Sequence, residues 1–152
     1  MKTKKSGFTL VEILIVVVIL GILAAIVIPQ FTEASTEAKT SSLCTDLQTV
    51  RSQIELYKIQ HNDNIPVPES GGLTWDRMTK YTDIAGTVND TYTTTCKYGP
   101  YLQKIPMNQF NDKPSIEVEA GGSTALGTGN FGWHLDSDTG SFHADTADHV
   151  AL

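Results

Sequence analysis

The sequence predicts an α+β protein in which a long N-terminal helix, membrane-spanning in its first half and amphipathic in its second, packs on a small antiparallel sheet. Three observations carry this. Residues Phe8–Ile28 are almost wholly apolar, with Glu12 as the one charge among them. Leu43, Leu47, Val50, Ile54 and Tyr57 recur at spacings of four, three, four and three, which draws one stripe along a helix. Ile116, Val118 and Ala120, then Phe131, Trp133 and Leu135, then Phe142 and Ala144 alternate as half-buried strands do.

The chain has 152 residues, enough for one domain with a modest core. Its formal net charge is -6, and three of its eleven basic residues, Lys2, Lys4 and Lys5, precede the apolar run. Eight basic side chains are then left against seventeen acidic ones. A body that acidic argues against a nucleic-acid partner, because phosphate binding is driven largely by Lys and Arg.

As a helix, Phe8–Ile28 rises about 31 Å, the depth of a bilayer core. The lysines before it predict a cytoplasmic N-terminus. A buried helix of a soluble domain does not suit this length and these flanks. A secretory signal cut near Ala24 or Ala25 fits poorly as well, because the run is long, carries a carboxylate, and places Ile22 or Leu23 where a small residue is wanted. A retained anchor is expected. Glu12 is then the informative residue, since a carboxylate inside a membrane helix is costly and normally has a partner or a role. It can reach back toward water and Lys5. If the chain is cut just before Phe8, the new α-amino group of a neighbouring subunit is a cation at the same depth.

Lys4-Lys5-Ser6-Gly7 followed by Phe8-Thr9-Leu10-Val11-Glu12 resembles the class III leader and cleavage site of type IV pilins and pseudopilins. The resemblance continues through Ile13–Gln30 and includes Gly21, Pro29 and Phe31 at the family's spacing. It implies that a prepilin peptidase cuts between Gly7 and Phe8 and methylates the new amine, and that Glu12 pairs with that amine in an adjacent subunit during assembly. Pro29 has no backbone donor and crowds the preceding turn, so the helix is expected to kink or loosen between Gly21 and Pro29. The resulting organisation is a cleaved leader (1–7), a transmembrane and filament-core half-helix (8–30), and a pilin-like periplasmic head (31–152). Within the head, the helix continues over 31–61, a connecting loop covers 62–114, and the sheet covers 115–145.

Beyond the stripe the helix is expected to stop near His61, ahead of Asn62, Asp63, Asn64 and Pro66. The connection holds at most a short helix around Leu73–Tyr81, with Trp75 and Met78 pointing inward. Asp138-Thr139-Gly140 marks a turn, so the last two strands form a hairpin. Gly99-Pro100-Tyr101-Leu102, Pro106, Gly132-Trp133 and Thr139-Gly140 resemble, more loosely, the head of the major pseudopilin family of type II secretion.

That resemblance implies a structural subunit of a periplasmic pseudopilus whose growth drives exoprotein export. Its implied partners are identical subunits, minor pseudopilins, the prepilin peptidase and an inner-membrane assembly platform. A surface type IV pilus subunit, for adhesion, motility or DNA uptake, is the alternative. A tethered binding module whose N-terminus is only an export signal is a third reading.

Few other features suggest chemistry. Cys44 and Cys96 are too far apart for a CxxC motif, and both a single disulfide and two free thiols are open. Family members bind calcium in an acidic C-terminal loop. This chain offers Asp136 and Asp138, with Asp145 and Asp148 further on, but no EF-hand pattern, and Gly121–Asn130 lacks acidic residues. Solvated turn-forming aspartates are the preferred reading, and no cofactor is expected. His134 and His143 are expected to face each other across the hairpin, a weak zinc signal beside His61 and His149. Gly127-Thr128-Gly129-Asn130 is a loop rather than a phosphate cradle, and no nucleophile elbow or P-loop occurs. Catalysis is not expected.

Overall fold

The computed structural model describes residues 7–67, 74–120 and 127–152. The leader residues 1–6, Leu73 at the start of the expected short helix, and 121–126 of the glycine-rich run lie outside the described residues. The chain divides into two compact units, Met1–Ala38 and Lys39–Leu152.

Helix α1 runs Leu10–Gln60. Its N-terminus is a capping box, a Thr and a Glu three residues apart satisfying each other's backbone donors. It stops where Asn62 (φ 54°) and Asp63 (φ 67°) enter the left-handed region that Asn and Asp tolerate better than most residues. There the Asp63 N–H turns back onto the Lys58 carbonyl at 2.9 Å, closing the last turn. Pro29 sits inside the helix, and Gly21 through Pro29 remain helical in the subunit.

In the first unit the apolar side chains from Phe8 to Phe31 are all exposed, Ile19 at 51% and Phe8 at 84% being the extremes. No core of its own covers this surface, and its length and composition suit a membrane.

In the second unit the stripe is buried as its spacing requires, with Leu43, Leu47, Val50, Ile54 and Tyr57 all at 2% exposure or less. Strands β3 (Ile116–Glu119), β4 (Thr128–Asp136) and β5 (Phe142–Thr146) form the sheet that shares this core. Trp133, Leu135, Phe142 and Ala144 are its buried apolar residues, with Ile116 and Val118 packed beside them. The Trp133 and Phe142 rings stack at 5.3 Å. The short helix α2 (Thr74–Thr79) adds Trp75 and Met78, both inward as expected. Two-residue strands β1 (Tyr81–Thr82) and β2 (Val88–Asn89) pair antiparallel within the connection.

The sheet is mixed rather than wholly antiparallel. The β4–β5 hairpin is antiparallel, but β3 pairs with β4 in parallel, Ile116 opposite Trp133 and Glu119 opposite Asp136. A parallel pair needs a crossover of about a dozen residues. The stretch between Glu119 and Trp133 is of that length, whereas alternation alone carries no strand direction. Gly132 is what lets the two strands close. A Cβ there would lie 1.9 Å from the Lys113 carbonyl oxygen, and the Gly132 and Trp133 N–H groups both donate to the Ser115 carbonyl.

Candidate functional site

The candidate site is the start of α1. Gly7 is exposed, and among the described residues no heavy atom other than those of its chain neighbours lies within 4 Å of where a Cβ would stand. Phe8 is 84% exposed. One residue on, Thr9 caps the helix. Its hydroxyl accepts the Glu12 N–H at 3.2 Å, and Glu12 Oε2 accepts both the Thr9 N–H and the Thr9 hydroxyl at 2.7 Å. The carboxylate is therefore held in register with the chain's first helical turn. Both of these donors lie on one oxygen, and the carboxylate stands within an apolar segment. Thr9 was not singled out by the sequence reading. The signal was present, since a Thr three residues ahead of a Glu before an apolar run is a capping box.

Further along, Pro29 removes one rung of the backbone ladder. Thr32 Oγ1 donates to the Ile28 carbonyl at 3.0 Å, a side-chain bond that competes with the backbone ladder and favours bending.

The acidic residues of the head have structural duties. Asp136 Oδ1 accepts the N–H groups of Asp138 and Thr139 at 2.8 and 3.1 Å, capping the hairpin turn, and Asp138 itself is exposed. Asp145 is fully buried. Its carboxylate accepts the Thr128 N–H, the Thr128 hydroxyl and the Phe131 N–H at 2.8–2.9 Å. Burial pushes this carboxyl up, but the bonds from Phe131, Thr128 and Gly129 outweigh it and hold it below the usual carboxylate value. The Lys113 ammonium sits on the Gly129 and Asn130 carbonyls at 2.8 and 3.0 Å. Asp145 and Lys113 thus grip the two polarities of the same loop backbone.

His134 and His143 are register partners across the hairpin, as expected. His134 is buried, with Nε2 3.9 Å from Glu119 Oε2. His143 is held below the ordinary imidazole value, first by burial and then by the nearby Arg51 guanidinium. Among the described residues no group of three or more His, Cys, Asp or Glu side chains is placed to hold a metal ion. Of the two readings, the structure shows Cys44 and Cys96 as free thiols. The buried Cys96 thiol is turned to the Thr87 carbonyl at 3.7 Å, while Cys44 lies half-buried on α1 beside the stripe.

Comparison with known proteins agrees with this layout. Residues 2–28 match the family described as prokaryotic N-terminal methylation motif. The type II secretion system core protein G of Pseudomonas aeruginosa is 41% identical over 69 residues, 45% of this chain and 46% of that protein. Its counterpart in Dickeya chrysanthemi is 37% identical over 71 residues, 47% of this chain and 46% of that protein. The chain spans about half the length of these two relatives. With the core protein G of Vibrio cholerae it is 37% identical over 145 residues, 84% of this chain and 92% of that protein. No solved structure matches the chain.

Proposed function

The chain belongs to the type II secretion system core protein G family, and from that membership we propose that it is the repeating structural subunit of a periplasmic pseudopilus. The observation that carries the proposal is the wholly exposed apolar stretch Phe8–Ile28 at the start of α1, with one carboxylate, Glu12, near its beginning. Such a surface is stable first in a bilayer and then against copies of itself. Water gives no driving force between helices there, so close packing and paired polar groups must supply it.

In this reading the subunit spans the inner membrane once, with Lys2, Lys4 and Lys5 on the cytoplasmic side and residues 31–152 in the periplasm. A prepilin peptidase removes residues 1–7 and methylates Phe8. Glu12 then pairs with the new amine of a neighbouring subunit. Minor pseudopilins and an inner-membrane assembly platform are the further partners, and lengthening of the filament moves exoproteins. Release of Pro29 and Gly21 from the helix belongs to the filament, where neighbouring chains take up the freed backbone groups.

The first test is the N-terminal peptide of the protein purified from membranes. Mass spectrometry is expected to find a peptide beginning at Phe8 and carrying one extra methyl group. A start near Ala25 overturns the filament reading and leaves a secreted head.

We further propose that the head holds its shape without calcium. Asp145 is saturated by loop donors, Lys113 occupies two of the loop's carbonyls, and Asp136 caps a turn. Chelation with EDTA is expected to leave the thermal midpoint unchanged, and a fall that added calcium reverses refutes this.

A further inference from the structure

Six asparagines occur in the chain, and only Asn89 is followed two places on by Ser or Thr, in Asn89-Asp90-Thr91. With no Pro between them, this triplet is the acceptor pattern of N-linked glycosylation. Such a triplet can be modified only where the fold leaves its amide open. Asn89 is the last residue of β2, the chain bends at Asp90 and Thr91, and all three residues are exposed.

The side chain is also set for that chemistry. Thr91 turns back on Asn89, its N–H donating to Asn89 Oδ1 at 3.1 Å and its hydroxyl to the same oxygen at 3.3 Å. A backbone N–H donates to an oxygen and not to an NH₂ group, so the orientation of the amide is fixed. Asn89 Nδ2 has no partner among the described residues. Asn64, Asn108 and Asn111 differ, each spending its Nδ2 on a backbone carbonyl at 2.6–2.8 Å. The turn is held at its flanks, where Asp90 pairs with Lys80 at 3.1 Å and the Tyr92 ring meets Tyr81 edge-on at 5.9 Å. An amide nitrogen is a weak nucleophile, because its lone pair is shared with the carbonyl. When a base takes a proton from Nδ2, negative charge builds on Oδ1, where both Thr91 donors already stand.

We propose that Asn89 is a glycosylation site whose Nδ2 accepts a sugar from a polyprenyl-pyrophosphate carrier. Nδ2 attacks the anomeric carbon, and the new C–N bond replaces the C–O bond to pyrophosphate. The pyrophosphate leaves with the electron pair, and the Nδ2 proton passes to a base of the transferase. Thr91 is a positioning residue that acts through Oδ1. The inference rests on the part of the filament reading that puts residues 31–152 in the periplasm, where activated sugars are carried on polyprenyl pyrophosphates.

The test uses the full chain, purified from the membranes of the cells that make it. Its tryptic peptide 81–97, which holds Asn89 and Thr91, is weighed by mass spectrometry. The peptide is expected to carry one or more sugar residues on Asn89. Asn89→Gln and Thr91→Ala are each expected to lose them, while Thr91→Ser, which keeps a hydroxyl, retains them. Both positions are exposed, so the variants are expected to melt with the original protein. An unmodified peptide from the original protein overturns the proposal. A sugar that survives Asn89→Gln overturns it too, since it then sits on another side chain, and one that survives Thr91→Ala removes Thr91 from the mechanism. The N-terminal peptide of the same digest keeps the two readings apart. An unmodified peptide 81–97 beside a methylated start at Phe8 sinks the glycosylation alone. A start near Ala25 sinks the filament reading whatever the state of Asn89.

Discussion

Replacing Glu12 with Ala is expected to leave the chain inserted in the membrane and cut after Gly7, yet reduce filaments below detection. The apolar run that drives insertion is untouched by the change, and so are Gly7 and Phe8. What is lost is the one anion of the segment. In the subunit its Oε2 is occupied by the N–H and hydroxyl of Thr9, which fixes the carboxylate near the start of the helix but does not neutralise it. An uncompensated anion in hydrocarbon is driven toward a cation at the same depth. In the proposed reading cleavage creates one, the amine of Phe8, four residues away in sequence and supplied by a neighbouring subunit.

Capping and charge are separable. Glu12→Gln keeps an oxygen for the Thr9 donors and removes the charge, while Thr9→Val removes the hydroxyl and keeps the charge. If charge governs assembly, the Gln variant fails like Ala and Thr9→Val still assembles. If capping governs it, the order is reversed. Filaments at the unsubstituted level from both Ala and Gln variants would remove Glu12 from the mechanism. Sheared filament yield, compared with the amount of processed subunit in membranes, is the readout.

The parts of the molecule that could be read in advance are those built on periodicity. All five residues of the α1 stripe are buried, and Trp75 and Met78 turn inward from α2, because a helix facing a core repeats its apolar positions. The β4–β5 hairpin was legible from alternation and a turn, with His134 opposite His143. The direction of β3 was not, since a strand reads the same in a parallel and an antiparallel pair. Strands β1 and β2, two residues each, are too short to show any alternation. In the candidate site Gly7, Phe8 and Glu12 stand out in the sequence because the motif that holds them is local, within residues 2–28. The grip of Lys113 and Asp145 on one loop was not visible. It joins side chains to backbone atoms fourteen to seventeen residues away, and such bonds leave no pattern in the chain.

Asp145 carries the second large effect. Asp145→Ala is expected to destabilise the head by about 3 kcal/mol or more. Hydrogen bonds to a charged group contribute roughly 1.5–3 kcal/mol each, and the Phe131 N–H and both Thr128 donors lose their acceptor. In a unit of this size that corresponds to a fall of about 10 °C in thermal midpoint. The same carboxylate makes the head sensitive to acid. Its folded-state value lies below the unfolded one, near 3.9. The stability it confers is therefore complete above the unfolded value and lost as pH falls through the lower folded value. Burial pushes the Asp83 carboxyl up, but the Thr87, Ala85 and Gly86 donors together outweigh it and hold it below the usual carboxylate value, so it acts in the same sense and the measurement must be a difference. Midpoints of the full chain in detergent, taken from pH 7 down to about pH 2, are expected to begin converging for the original and Asp145→Asn proteins as the pH falls below about 4 and to meet only below the lower folded-state value, because the substitution removes the titrating group. If the two profiles stay parallel over the whole range, Asp145 does not anchor the loop through its charge, and the Lys113 contacts with Gly129 and Asn130 carry that role alone.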